Sequence, residues 1–297
     1  MKKKLKEFLA QNKGIKGYSN GKDLMKNEKL DFVIIAVPHC KHYEVTKEAL
    51  NRKIHVLKEK PFAVSFEEAT ELKKLAEKNN VYISVTLQRR FNPIYSTFFQ
   101  LIDKIGKVFY IDAVYTLHTD FPNEGWRGEK KLAGGGCLID MGYHLIDLLM
   151  WYFGLPDRIF ADMSSTAREG VSYDAEDTAR VMFRYDDTDA WGSLLVSRFI
   201  PPKQELLNVY GTRGTIHLER GIIERYSIDG KLQESLKREN SWPSAAQDQI
   251  EYFVKVIRGE KENINGPESQ LKHMAFVEAA YRSKKEGCSV NPKKLKN

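Results

Sequence analysis

The segment LAGGGCLIDMGYHLIDLLMWYFGLP, residues 132–156, contains the side chains best suited to chemistry. Asp140, His144 and Asp147 stand at i, i+4 and i+7, so a regular helix would carry all three on one face. A carboxylate beside a histidine can fix its tautomer and raise its basicity near neutral pH. We therefore expect His144 to be a general base and Asp140 to orient it. The alternative is a structural Asp–His pair that caps neighbouring backbone.

Lys60, in the stretch HVLKEKPFA, is the second candidate catalytic residue. It follows a predicted parallel strand, and ligands bind in open α/β sheets at the carboxyl ends of the strands. A lysine there would lie near both a cofactor and a substrate hydroxyl. The alternative is a surface lysine before a turn-forming proline.

Elements that alternate between strand and helix must position Lys60. The apolar run Phe32–Val37 is typical of a strand buried on both faces of a parallel sheet. A helix over 42–51, a strand over 54–57 and a strand within 81–88 continue the pattern. Ser65, three residues before a glutamate, predicts a capped helix between the last two strands. The first 90 residues thus predict a parallel, Rossmann-like sheet.

The pattern changes near the Asn92-Pro93 pair, where we place a boundary between residues 1–90 and 91–297. The following runs are rich in β-branched and aromatic residues and predict a large, mainly antiparallel sheet: GKVFYIDAVYTLHTD, DRIFADMSSTA, DTARVMFRY, DAWGSLLVSRF and LLNVYGTRGTIHLE. Two helices, ending near Gly259 and Gly287, follow. The predicted fold class is α/β.

Composition narrows the range of partners. The net charge is +7, but the lysines are scattered without the interleaved aromatic residues of a nucleic-acid surface. Three cysteines are too few and too scattered for a disulfide framework or a zinc site, which favours a reducing cytoplasm. No apolar run approaches the ~18 residues that span a bilayer. A metal-dependent hydrolase using His118, Asp120 and His144 is a weak alternative, because no compact ligand motif supports it.

Taken together, these motifs resemble the Gfo/Idh/MocA oxidoreductases over essentially the whole chain. DFVIIAVPHCKH resembles the strand after which the cofactor lies, EKPFA the family's Glu-Lys-Pro motif, and GGGCLIDMGYHLIDLLMW its Gly-Gly and Asp-x-Gly-x-His helix. The resemblance implies hydride transfer between NAD or NADP and a secondary alcohol or ketone of a sugar, cyclitol or related polyol. It also implies a homodimer or homotetramer formed through the large sheet.

The resemblance assigns roles to individual residues. It implies a catalytic set of Lys60, Asp140 and His144. Positions implied to bind the cofactor are Pro38, His42, Glu59, Lys60, Trp126 and Arg127, and those implied to bind the substrate are Arg90 and Asp147.

One family feature is missing from the sequence. Relatives begin with a strand, a Gly-x-Gly-x-x-Gly turn that holds the pyrophosphate, a helix and a second strand. Roughly fifty to sixty residues of this pattern have no counterpart. We expect a truncated member of the family, with weak dinucleotide binding by the chain from Met1. The alternative is a catalytically silent sugar-binding or scaffold protein that has lost the cofactor loop.

Overall fold

Two β-sheets, one small and one large, organise the chain in the computed structural model, which describes residues 2–119, 125–238 and 242–295. The small sheet contains only parallel strands, in the order β1 (Phe32–Ile35), β2 (His55–Lys58), β3 (Ile83–Val85). The helices in this half are α1 (Lys2–Gln11), α2 (Gly21–Asn27), α3 (His39–Asn51) and α4 (Phe66–Asn79). This arrangement confirms the predicted parallel sheet.

Helix α4 begins where the sequence predicts. The Ser65 hydroxyl accepts a hydrogen bond from the Glu68 amide at 3.1 Å, and the Glu68 carboxylate accepts one from the Val64 amide at 3.3 Å. These two bonds satisfy amides that the first helical turn leaves without partners. The apolar face of α4, which includes Leu72, is buried in the core.

Strand β1 differs from its prediction. The strand lies at an edge of the small sheet. Ile34 is 54% exposed, so the strand is not buried on both faces. Ile35 points into the main core, while Phe32 packs edge-on against Phe253 of a C-terminal helix. That helix covers only part of the second face, which leaves Ile34 in contact with solvent.

The large sheet has eight strands in the order β11-β10-β9-β8-β4-β7-β6-β5. Every neighbouring pair is antiparallel except β4 and β7, which are parallel. This confirms the mainly antiparallel sheet. The strands are β4 (Val108–His118), β5 (Arg158–Ser164), β6 (Thr178–Arg184), β7 (Trp191–Ser197), β8 (Phe199–Gly211), β9 (Gly214–Glu219), β10 (Ile222–Ser227) and β11 (Leu232–Lys237).

Strands β10 and β11 were absent from the sequence prediction. Their segments, IIERYS and LQESLK, mix polar and apolar residues without a regular alternation, and β11, at the edge of the sheet, is mostly exposed. An exposed, charged strand lacks the apolar signal by which a buried strand is recognised.

The α-helices after residue 92 are α5 (Pro93–Ser96), α6 (Phe98–Leu101), α7 (Lys130–Ala133), α8 (Tyr143–Tyr152), α9 (Trp242–Ile257) and α10 (Pro267–Glu286). Of these, α8 packs on β4 and α10 on β5 of the large sheet. Ile146 of α8 and Phe276 of α10 are fully buried in the same core as Leu194 and Val196 of β7. None of the described helices is long and apolar enough to cross a membrane.

The predicted boundary at residue 90 falls between the two sheets. The last two helices nevertheless contact both halves: α10 packs on α4 and on β5, and α9 packs on β2. The halves therefore share one continuous core, and the helices fix the geometry of the cleft between them.

Candidate active site

The helix that carries the predicted catalytic residues begins with an irregular turn. Residues Leu138–Gly142 form a π-helix that continues directly into α8. The wider π turn changes the rotation per residue, so the i, i+4, i+7 spacing does not place the three polar residues on one face. Each of them has different surroundings, which corrects the predicted polar stripe.

Asp140 is bound to cations and not to His144. Its carboxylate accepts a hydrogen bond from Lys60 Nζ at 2.5 Å and one from Arg198 Nη2 at 2.8 Å. Burial disfavours the ionised carboxylate, but the charges of Lys60 and Arg198 outweigh burial and hold the pKa of Asp140 below its usual value. Lys60 Nζ also donates to the Asp140 backbone carbonyl at 2.6 Å. The structure therefore joins Lys60 and Asp140 directly.

His144 lies in a separate cleft between the two sheets. This cleft, here called the His144 cleft, is lined by Gln88, Arg89, Tyr115, His144, Glu205 and Arg220 among others. Within the described part of the chain, the His144 ring has no hydrogen-bond partner, so the predicted orienting bond from Asp140 is wrong. Burial, together with the positive charges of Arg89 and Lys60, lowers the pKa of His144 well below its usual value. The ring is therefore neutral at physiological pH, and burial weakens it as a base, which is the opposite of the raised basicity expected from the sequence.

Asp147 and Arg90 are buried against each other. Arg90 donates to the Asp147 carboxylate through Nε at 2.9 Å and Nη2 at 2.6 Å, and His273 Nε2 lies 2.8 Å from the same carboxylate. Asp147 is 1% exposed. Arg90 Nη1 also donates to the Ile264 carbonyl, which ties α8 to the segment before α10. The contacts of both residues therefore hold α8 in place. Their role in substrate binding stays a prediction.

The predicted cofactor residues gather at the carboxyl ends of β1 and β2. Pro38 precedes α3, and the Glu59 amide donates to the Ile35 carbonyl at 2.9 Å. His42 is 1% exposed, and its two ring nitrogens lie 2.9 and 3.1 Å from the Val37 and Pro61 carbonyl oxygens. His42 therefore joins the loop after β1 to the loop that carries Lys60.

Trp126 and Arg127 lie over the same edge. The Trp126 ring stands 4.6 Å from the ring of His39, and the Arg127 guanidinium lies 4.4 Å from the Trp126 ring centre. Arg127 Nε is 3.8 Å from the Asp140 carboxylate. Burial lowers the pKa of His39 to about 4, so its ring is neutral at physiological pH.

Family models match both halves of the chain. The model described as an oxidoreductase family with an NAD-binding Rossmann fold matches residues 1–87. The model of the GFO/IDH/MocA C-terminal domain matches residues 97–217. The chain belongs to the Gfo/Idh/MocA oxidoreductase family. This finding confirms the resemblance inferred from the Glu-Lys-Pro and Asp-x-Gly-x-His motifs.

Individual members of the Gfo/Idh/MocA family are also similar to this chain in sequence. An uncharacterized oxidoreductase of Schizosaccharomyces pombe is 32% identical over 58% of this chain and 46% of its own length. The scyllo-inositol 2-dehydrogenase (NADP(+)) IolW of Bacillus subtilis is 27% identical over 90% of this chain and 73% of its own. The chain spans about half the length of the two yeast relatives that it matches.

A solved structure has the same fold. The crystal structure of an NAD-binding oxidoreductase from Klebsiella pneumoniae superposes with a TM-score of 0.86 at 20% identity. The superposition covers 99% of this chain and 88% of that one.

The carboxyl edge of the small sheet carries groups that could hold part of a dinucleotide. Trp126 offers a half-buried aromatic surface, and Lys60 and Arg127 supply donors beside it. In residues 2–119, 125–238 and 242–295, no glycine-rich turn joins a parallel strand to a helix, so the described part lacks the usual pyrophosphate site.

Two residues at this site were not predicted from the sequence. His39 directly follows Pro38, and attention to the carboxyl end of β1 would have identified it. Arg198 lies just beyond β7, far from Asp140 in sequence. The packing of the π turn on β7 brings it to the site.

A metal site finds no support in the described residues. They contain no group of three His, Cys, Asp or Glu side chains placed to hold an ion. Of the hydrolase residues, Asp120 lies outside the described part, and His118 packs edge-on against Phe199.

Proposed function

We propose that the protein is an NAD(P)-dependent oxidoreductase that interconverts a secondary alcohol and a ketone on a sugar, cyclitol or related polyol. The observation that carries this proposal is the ion pair that joins Lys60 to Asp140 after the carboxyl end of β2, with His144 near enough for the charges of both to act on its ring. The activity for which the Bacillus subtilis relative is named, that of an NADP-dependent inositol dehydrogenase, belongs to the same class.

His144 acts as the proton acceptor in this proposal. Its imidazole is neutral and lines the cleft, so it can take the proton of a substrate hydroxyl. A bound nicotinamide supplies the acceptor for the hydride that leaves the same carbon.

Lys60 stabilises the alkoxide that develops on the substrate oxygen. Its ammonium group keeps donor capacity beyond the two bonds to Asp140, because an ammonium has three donors. Asp140 positions Lys60, with Arg198 fixing the other carboxylate oxygen. Asp140 thus acts on Lys60 and not on His144.

Turnover measurements on the full protein test these roles. With NAD and NADP and a panel of sugars and cyclitols, His144→Ala and Lys60→Ala should each lower kcat by on the order of 10²-fold or more. The matched control is His55→Ala, because His55 lies in β2 at the opposite end of the sheet, stacked on Tyr82. Unchanged turnover in both site variants would contradict the catalytic roles proposed for His144 and Lys60.

We also propose a homodimer or homotetramer in a reducing cytoplasm. Support for assembly comes from aromatic residues on the uncovered face of the large sheet, including Trp191 at 46% exposure. Support for the location is that Cys40, Cys137 and Cys288 form no disulfide with one another.

A further inference from the structure

Two arginines reach the His144 cleft from opposite sheets. Arg89 belongs to the short helix Gln88–Phe91 that follows β3 of the small sheet. Arg220 lies in the two-residue loop between β9 and β10 of the large sheet, where Gly221 has a φ of +87°. Both line the cleft together with His144.

The charges of these arginines are only partly neutralised. Arg89 forms an ion pair with Glu205, and both side chains are about nine-tenths buried. Arg220 is exposed and has no carboxylate partner among the described residues. The described lining of the cleft therefore carries two positive charges against one negative charge.

The surroundings of the cleft are also positive. On the neighbouring side, Lys60, Arg127 and Arg198 all lie within 4 Å of a single carboxylate, that of Asp140. Burial raises the pKa values of Tyr95 and Tyr115, and the charges of Arg89 and Arg220 oppose that shift in each. Arg89, Arg220 and both tyrosines line the same cleft, so the two guanidinium groups border a common space.

We propose that the substrate is an acidic sugar, a uronate or an aldonate, whose carboxylate is bound by Arg89 and Arg220 while its hydroxyl meets His144. This inference rests on the proposed function and names its substrate class. A guanidinium presents paired donors that match a carboxylate, and a cleft of one sign concentrates the opposite ion.

The charge of the groups that line the cleft matches one carboxylate. One carboxylate neutralises the single excess charge of the described lining. A phosphate dianion would exceed the charge of the lining by one beside the buried Glu205, but Lys60, Arg127 and Arg198 on the neighbouring side would offset it, so glucuronate and glucose 6-phosphate are compared directly below.

Arg220 is the specificity residue that the proposal identifies, and it can be changed without disturbing the core. It is exposed at a hairpin turn, whereas Arg89 holds the buried Glu205. Arg213 is the matched control, because it is an exposed arginine in the neighbouring β8–β9 turn and donates to the Asp103 carbonyl.

The experiment compares matched sugars by calorimetry on the full protein with NAD or NADP present. The pairs are D-glucuronate with D-glucose and D-galacturonate with D-galactose, which differ only in the carboxylate. We expect at least one acid to bind roughly tenfold more tightly than its neutral partner. The advantage should shrink when NaCl rises from about 0.05 M to about 0.5 M.

Two arginine variants test which residue causes the difference in affinity between acid and neutral sugar. Arg220→Gln should weaken binding of the acid by roughly tenfold and leave binding of the neutral sugar unchanged, and Arg213→Gln should change neither affinity.

Equal affinity for acid and neutral sugar, or an unaltered acid affinity in Arg220→Gln, would overturn the inference while leaving the proposed function standing. Tighter binding of glucose 6-phosphate than of glucuronate would overturn the carboxylate assignment. If no sugar of either kind binds with either cofactor, the proposed function itself fails.

Discussion

Lys58 is the residue whose environment departs most from what its type would suggest. It is fully buried in β2, and its ammonium group donates to the Phe62 carbonyl at 2.6 Å. Burial lowers the pKa of Lys58 from its usual 10.5 to about 7, while the charge of Glu68 acts in the opposite direction. A fully buried lysine at the end of β2 therefore makes the stability of the protein depend on pH.

The direction of this dependence follows from the two pKa values. Between pH 7 and 10.5 the unfolded chain binds a proton at Lys58 that the folded chain does not bind, so the free energy of unfolding rises with pH in that window. Below pH 7 both states are protonated and the destabilisation is constant. We predict that Lys58→Met stabilises the protein most at pH 7 and below.

The advantage of Lys58→Met should shrink by several kcal/mol as pH approaches 10.5, because the wild-type lysine is then neutral in the folded state and loses its proton in the unfolded state as well. Urea denaturation of the wild-type protein and of Lys58→Met at a series of pH values measures this difference in the free energy of unfolding. Lys74→Met, at an exposed position on α4, serves as the control and should give a difference that does not change with pH. A pH-independent difference for Lys58→Met as well would refute the prediction.

The glycine segment before α8 shows how one element depends on another. A Cβ on Gly136 would lie 1.9 Å from the Glu176 carbonyl oxygen, and one on Gly135 would lie 1.8 Å from the Tyr281 hydroxyl. The Glu176 carboxylate accepts hydrogen bonds from the Gly136 and Leu138 amides at 2.7 and 3.0 Å. The glycines thus permit close approach to the protein's own backbone, and this contact fixes where the π turn begins.

Gly136→Ala should therefore destabilise the protein by about 3 kcal/mol or more, since the added methyl group meets rigid backbone and not a flexible side chain. Gly21→Ala is the matched control: Gly21 opens α2, a methyl group there would have no heavy atom within 4 Å, and stability should change by less than about 0.5 kcal/mol. Chemical denaturation midpoints compare the two. Equal midpoints for both variants would show that the loop around Glu176 adapts to the methyl group.

The uncovered face of the large sheet is the main feature at the scale of the molecule. Phe160, Met182 and Trp191 are 39%, 44% and 46% exposed, and the register places them on one face. Tyr110 packs beside Trp191 at 4.6 Å between ring centres. Exposed apolar and aromatic side chains grouped on one sheet face, here with Arg180 and Arg184 among them, are typical of a surface that another molecule covers.

If a second copy covers this face, Trp191→Glu should shift the protein toward monomers, because a carboxylate would be buried without a partner in the interface. Light scattering over a range of protein concentrations measures the change. Phe99→Glu is the control, since Phe99 is also 45% exposed but lies in α6, away from the sheet face. A wild-type protein that is monomeric throughout would contradict the proposed assembly.

Local signals in the sequence determined most of the architecture. Periodicity or capping residues within a single segment were enough to predict three features without knowledge of tertiary contacts. These are the capped start of α4, the parallel strands around Lys60 and the antiparallel runs after residue 100. The charged hairpin β10–β11 could not be predicted, because its strands bury too little apolar surface to show a pattern. Lys60, Asp140 and His144 were identified by residue type and motif.

Only the tertiary structure decided how these residues meet. The sequence spacing joined Asp140 to His144, but the π turn and its packing on β7 bring Lys60 and Arg198 to Asp140 instead. The tertiary structure likewise paired Arg90 with Asp147 and brought Arg89 and Arg220 from different sheets to one cleft. Spacing along the chain specifies only neighbours within a helix or strand. Contacts between elements depend on the packing of the whole core, and these contacts set which charges lie together.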